Sequence, residues 1–211
     1  MNDTTRTILQ SSATRPLILA SASAARAALL RGAGLEFSTR PAAVDEDAAK
    51  EELRADGASA EDAATTLALL KARRISTAEP EALVIGADQL LDCEGRWFDK
   101  ARDREDARDQ LRALRGRVHG LATGVCVATG GEPIWRHVAT PRLEMRALND
   151  GFIDAYLDAA GDEATGCVGA YRLEGLGAQL FDRIEGDYFT ILGLPLLPLL
   201  AFLREHDVVP R

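Results

Sequence analysis

An apolar run, Leu17-Ile18-Leu19-Ala20, stops at Ser21-Ala22-Ser23 and resumes as the Ala/Leu-rich segment Ala24 to Arg31. That order reads as a buried strand, a short hydroxyl-bearing turn and a helix: Ser23 is a good N-cap, Leu29 and Leu30 supply an apolar side, and Gly32 and Gly34 close the helix. The first N–H groups of a helix lack intrahelical partners and carry the positive end of its dipole, so such a turn favours a phosphate. Ser21, Ser23 and Arg26 add donor side chains to it. Taken alone, the same residues also describe an ordinary strand-to-helix turn with a Ser cap. The remainder of the chain decides between the two.

With 211 residues, 46% of them apolar and 27% charged, the chain is long enough for one sizeable core, with room for two lobes. A formal net charge of −8 argues against nucleic acid or an anionic membrane as partner, because those surfaces require a broad basic face. Cys93, Cys126 and Cys167 are isolated and odd in number, which predicts reduced thiols rather than a disulfide framework. The first sixteen residues read as a polar, flexible extension without a leader's apolar stretch, and no window approaches a membrane span; a cytoplasmic protein is the expectation. Of the 25 basic residues only Lys50, Lys71 and Lys100 are lysine, leaving 22 arginines. A lysine in so arginine-rich a chain either falls there by chance or marks a position where a compact ammonium suits better than a planar fork.

Along the chain, Glu36 to Arg40 reads as a short strand, and the acidic run Val44-Asp45-Glu46-Asp47 as a loop. Glu61 to Ala78 is helical, with Ala63, Ala64, Leu67, Leu70 and Ile75 as its apolar positions and Lys71 in its last third. Leu83 to Ala87 is a second buried strand that runs into a carboxylate, Asp88; Gln89 to Leu91 extends it to a turn at Asp92 to Gly95, and Arg96 to Phe98 returns toward Lys100. Helices are predicted over 103–115 and 149–160. A strand over 118–129 is expected to pair with 134–146 through Gly130-Gly131, and a strand over 180–184 and a terminal helix behind Pro195 complete a single mixed α/β domain over 17–207.

The common nucleotide signatures are absent: no Walker A loop, no third glycine after Gly175-Leu176-Gly177, no HExxH and no Gly-x-Ser-x-Gly elbow. His119, His137 and His206 stand alone and read as structural or solvated. What remains is a dispersed but chemically consistent set. Asp45, Glu46 and Asp88 offer hard oxygens to a divalent cation such as Mg²⁺, while Ser21, Ser23, Arg26, Lys71 and Lys100 can neutralise a polyphosphate. Together they describe metal-assisted cleavage of a phosphoanhydride.

Leu19-Ala20-Ser21-Ala22-Ser23-x-x-Arg26, Val44-Asp45-Glu46, Lys71-Ala72, Gly86-Ala87-Asp88-Gln89, Lys100, Gly169-Ala170-Tyr171 with Glu174-Gly175, Ile184-Glu185-Gly186 and Gly193-Leu194-Pro195-Leu196 occur in this order. In that series the chain resembles the Maf-like nucleoside triphosphate pyrophosphatases from about residue 17 to 204. The resemblance implies an elongated α/β, mixed-sheet fold like that of the inosine triphosphatases, with two lobes around a central cleft. It further implies cleavage of nucleoside triphosphates to monophosphate and pyrophosphate with Mg²⁺ or Mn²⁺, in a cytoplasmic protein that is often a homodimer.

By the same resemblance Asp88 matches the proton acceptor, Glu46 and Asp88 lie where metal is held, and Ser21, Ser23, Arg26, Lys71 and Lys100 match phosphate contacts. Gln89 and Glu174 look like the subfamily acting on 7-methyl-GTP, and a carboxylate suits the N–H edge and the positive charge of that base. At the third specificity position the family's bulky residue is replaced by Ala25, preceded by Ala24 in place of proline, and Ala101 follows Lys100 where proline is usual. Action on dTTP, UTP or CTP, a nucleotide-binding regulatory protein without turnover, and a phosphohydrolase releasing orthophosphate stay open at this level.

Overall fold

A computed structural model describes residues 15–210. Most of the expected N-terminal extension, residues 1–14, lies outside the described residues. Arg15 and Pro16 are tied to the domain: the Arg15 side chain donates to the Glu81 carbonyl at 3.0 Å, and Leu83 N donates to the Pro16 carbonyl at 2.9 Å.

Among the described residues, eight strands hydrogen-bond in the order β2-β1-β3-β5-β7-β8, with β4 on β3 and β6 on β5. They are β1 (Leu17–Leu19), β2 (Ser38–Thr39), β3 (Leu83–Cys93), β4 (Arg96–Phe98), β5 (Val118–Thr129), β6 (Glu132–Ala139), β7 (Arg142–Met145) and β8 (Phe181–Glu185). Seven α-helices accompany them: α1 (Ala24–Gly32), α2 (Glu46–Ala55), α3 (Ala60–Ala78), α4 (Arg104–Leu114), α5 (Asp150–Ala160), α6 (Tyr188–Ile191) and α7 (Leu196–Glu205). The mixed α/β class is as expected, and none of these helices is long and apolar enough to cross a membrane. The chain divides into two compact units.

The first unit comprises residues up to Gln89, Thr123–Ala139 and Tyr188 onward. Here β1 runs parallel to both β2 and β3, with Ile18 opposite Ser38 and Val84. Strand periodicity sorts the side chains. Leu17, Leu19, Leu83, Ile85 and Ala87 join Val125 and Val127 in one core that packs Leu30 of α1 and Leu199, Phe202 and Leu203 of α7. The opposite face is covered by α3. A Cβ added at Gly86 would fall 2.2 Å from the Ala68 carbonyl oxygen, and one at Gly124 would fall 2.6 Å from the backbone of Ala64. Only bare backbone lets the helix lie this close to β3 and β5.

Two expectations change here. Leu70 is exposed, because the inward face of α3 is Ala63, Ala64, Leu67, Ala68, Lys71 and Ala72; a lysine takes the place expected of a leucine. The acidic run is not a loop but the start of α2: the Asp45 carboxylate accepts from Ala48 N at 3.0 Å as N-cap, and Glu46 and Asp47 fill the first turn, where the helix dipole favours them. As expected, β3 continues past Asp88, with Leu90, Leu91 and Cys93 buried beyond it.

The second unit comprises Leu90–Ala122 and Thr140–Asp187. The end of β3 makes a hairpin with β4, pairing Leu91 with Phe98. The predicted strand over 134–146 is two strands. Thr140-Pro141 interrupts it, since proline has no N–H for the ladder; β6 pairs with 123–129 of β5 and β7 with 118–120. Leu111, Leu114, Leu121, Leu143, Ile153 and Leu180 are fully buried, and α4 and α5 are linked by Arg–Asp pairs such as Arg112–Asp150 at 2.7 Å. The three cysteines are free.

Candidate active site

The turn between β1 and α1 forms as the Ser/Ala pattern predicts. Ser23 Oγ caps the helix by accepting from Arg26 N at 3.3 Å, and Ser21 Oγ accepts from Ser23 N at 3.2 Å. Among the described residues the N–H groups of Ala24 and Ala25 are left without a partner, at the positive end of a nine-residue helix. The Arg26 side chain folds back over this turn, donating from Nη1 to Ser21 Oγ at 3.1 Å and from Nε to the Gly193 carbonyl at 2.8 Å. Burial pulls its guanidinium below the ordinary range, while the charges of Asp88 and Glu46 pull it back up.

Asp88 lies on the same face of β3 as Gly86, two residues away, where α3 approaches closest. Lys71 on that helix reaches it: Nζ is 2.6 Å from Asp88 Oδ1 and 2.9 Å from Glu46 Oε1. Lys71 and Asp88 are each 6% exposed, Ser21 7% and Arg26 9%, whereas the Glu46 side chain is partly open to solvent. Two positive and two negative side chains thus converge in a largely dehydrated setting, where their interactions are stronger than at a surface.

The structure therefore gathers Ser21, Ser23, Arg26, Glu46, Lys71 and Asp88 in the first unit, with Ala25 half-buried on the first turn of α1. Asp45, expected among the cation-binding carboxylates, is committed to capping α2. No group of three or more metal-ligating side chains occurs among the described residues. Glu46 and Asp88 nevertheless suit Mg²⁺ or Mn²⁺, since such ions are held by one or two carboxylates with phosphate oxygens completing the shell. The carbonyl of Gly193, which clamps Arg26, was not singled out from sequence; backbone acceptors leave no mark in side-chain chemistry. Its signal was the glycine itself, which adopts φ 99° and whose missing Cβ would lie 3.3 Å from Arg26 Nε.

Gln89 points to the other face of β3, where its amide nitrogen lies 2.8 Å from Thr123 Oγ1, 3.0 Å from the Thr190 carbonyl and 3.2 Å from the Ile191 carbonyl. Lys100 and Glu174 belong to the second unit. Lys100 is exposed, and its backbone bridges to Val168. The segment that follows is braced from inside: Tyr156 donates its hydroxyl to the Ala170 carbonyl at 3.1 Å, and His119 Nε2 and the Tyr171 hydroxyl are 2.7 Å apart. Glu174 accepts from Arg172 Nη2 at 2.9 Å and Nε at 3.1 Å, and Arg172 also holds Glu163 at 3.0 Å.

Comparison with known proteins gives the family of a chain that carries this strand-turn-helix and its buried lysine–carboxylate cluster. Residues 16–206 match the Maf-like proteins, and the chain belongs to that family. A nucleoside triphosphate pyrophosphatase from Granulibacter bethesdensis is 58% identical over 193 residues, covering 92% of this chain and 98% of its own. A second, from Rhodospirillum rubrum, is 51% identical over 194 residues, 92% and 96% of the two chains. A 7-methyl-GTP pyrophosphatase from Rhizobium meliloti is 52% identical over 193 residues, 92% and 97% of the two chains.

Proposed function

We propose that this chain is a nucleoside triphosphate pyrophosphatase, releasing the nucleoside monophosphate and pyrophosphate, with 7-methyl-GTP as its preferred substrate. The observation that carries the reaction is the buried meeting of Lys71 with Asp88 and Glu46 beside the open N–H groups of Ala24 and Ala25. Water adds to the α-phosphorus and gives its proton to Asp88. The bond to the α,β-bridging oxygen breaks, and that oxygen leaves with pyrophosphate. Lys71 occupies Oδ1, so Oδ2 is the acceptor atom. Arg26, Lys71, Ser21, Ser23 and the first turn of α1 hold the phosphates and face the charge that develops as the leaving group departs. Glu46 and Asp88 would hold a divalent cation, which when bound polarises the phosphoryl group and eases deprotonation of water.

Lys100 is proposed as a further phosphate contact and Glu174 as the group that selects the base; the choice of 7-methyl-GTP as substrate is supported by the name of the Rhizobium meliloti relative. The purified protein with Mg²⁺, offered 7-methyl-GTP, GTP, dTTP, UTP, CTP and ITP, tests the reading. Pyrophosphate from 7-methyl-GTP well above the others is expected. Preference for pyrimidines would keep the reaction and discard the substrate, and orthophosphate as the product, or binding without turnover, would discard the reaction.

A further inference from the structure

We infer that Thr123 is a positioning residue for base choice: with the Thr190 and Ile191 carbonyls it occupies the amide nitrogen of Gln89, so that Gln89 offers the base its oxygen alone. The inference deepens the pyrophosphatase reading and rests on it for the presence of a base, while the direction of the amide follows from geometry. Gln89 Nε2 lies 2.8 Å from Thr123 Oγ1, 3.0 Å from the Thr190 carbonyl oxygen and 3.2 Å from that of Ile191. The two carbonyls can only accept. Thr123 Oγ1 itself donates to the Thr190 carbonyl at 3.3 Å, so toward Gln89 it accepts as well. An amide turned over would set its oxygen against these acceptors.

The groups that hold the nitrogen are ones that water does not replace. Thr123 and Thr190 are 0% and 1% exposed, and the Thr190 carbonyl also accepts from Gly193 N at 2.9 Å, which ties down the turn after α6. Gln89 itself is only half-buried, and its Oε1 accepts from no donor among the described residues and is not enclosed by protein. A neutral acceptor of fixed direction is therefore left for a ligand. Such an acceptor suits a base edge that brings N–H groups. Guanine, methylated at N7 or not, carries N1–H and an N2 amino group on one edge, whereas adenine has a bare N1 acceptor there. A free amide turns to meet either edge; a held amide refuses the second.

Titration calorimetry with GTP, 7-methyl-GTP and ATP, in EDTA so that no turnover intervenes, tests the inference. Wild-type protein should bind GTP more tightly than ATP. Thr123→Val keeps the branched shape and removes the hydroxyl, which lets the amide turn an N–H toward adenine N1. The GTP-to-ATP affinity ratio should fall about fivefold, the order of one uncharged hydrogen bond, with ATP binding not weakened. The ratio of 7-methyl-GTP to GTP should hold, because both present the same N1 and N2 edge, and Thr123→Ser should restore the wild-type preference. An unchanged GTP-to-ATP ratio in Thr123→Val, or equal weakening of both nucleotides as from a merely structural loss, would overturn the inference. If Thr123→Val fails to fold, Gln89→Met decides: it removes the amide oxygen, so the preference for GTP should be lost, and a preference retained overturns the inference. Failure of the pyrophosphatase reading shows separately, as wild-type protein that tells GTP from ATP in binding but releases no pyrophosphate from any nucleotide.

Discussion

Lys71 Nζ lies 2.6 Å from Asp88 Oδ1, with both side chains buried and Glu46 Oε1 2.9 Å from the same nitrogen. A short charge-assisted contact of this kind fixes the direction of the carboxylate as well as its charge. Asp88→Asn keeps the shape and removes the proton acceptor, so turnover should fall by about 10² to 10⁴ in protein that still melts cooperatively, at a lower midpoint because buried Lys71 loses one of its two carboxylate partners. Stopped-assay pyrophosphate release and a melting curve on the same sample check it. A near wild-type rate would take Asp88 out of the mechanism.

The Lys71–Asp88 contact depends on how closely α3 lies on β3. Gly86→Ala would push a methyl group into the Ala68 carbonyl, at a separation real Cβ atoms do not show. Overpacking of this type costs roughly 1–3 kcal/mol. The helix must lift, so kcat should fall along with stability in denaturant titrations. An Ala variant with unchanged stability would contradict the close packing.

His119 is buried against Tyr171 and Phe181, and no partner is found for its Nδ1 among the described residues. Burial lowers its pKa from 6.5 to about 4. Between those values the unfolded chain binds the proton and the folded chain does not, so stability declines as pH falls through that window, by roughly 3 kcal/mol in full. Denaturant unfolding at pH 7 and pH 4.5 should show this loss in wild type and a smaller one in His119→Gln. Equal slopes for the two proteins would exclude the histidine as its source.

Glu174 is held by the fork of Arg172, which fixes a carboxylate oxygen without needing a ligand. Glu174→Gln keeps the size and removes the charge that suits a cationic, methylated guanine. The kcat/KM ratio of 7-methyl-GTP to GTP should drop about tenfold or more, with hydrolysis of GTP little changed. An unaltered ratio would end the assignment of Glu174 to base selection.

The elements that could be read from the chain are those whose pattern is local. Ser23 as cap, the apolar run of β1, the hairpin into Phe98 and Gly116 at the end of α4 each carry their signal within a few residues. Lys71, Glu46 and Asp88 were legible as the chemistry of one site, but the direct contacts of Lys71 with both carboxylates were not, because they depend on two close approaches, at Gly86 and Gly124, that join distant segments. Helix α2 was hidden because the acidic run Val44 to Asp47 after Pro41 reads as a loop, when a cap followed by acidic first-turn residues is equally a helix start. The role of the Gly193 carbonyl could not be read at all, since a backbone oxygen is present at every residue.

The central claim is attack by water at the α-phosphorus, and the position of the new oxygen tests it most directly. Hydrolysis of 7-methyl-GTP in ¹⁸O-labelled water, followed by mass spectrometry of both products, should place one labelled oxygen in the monophosphate and none in pyrophosphate. Label in pyrophosphate, or labelled orthophosphate, would show attack at another phosphorus and contradict the account.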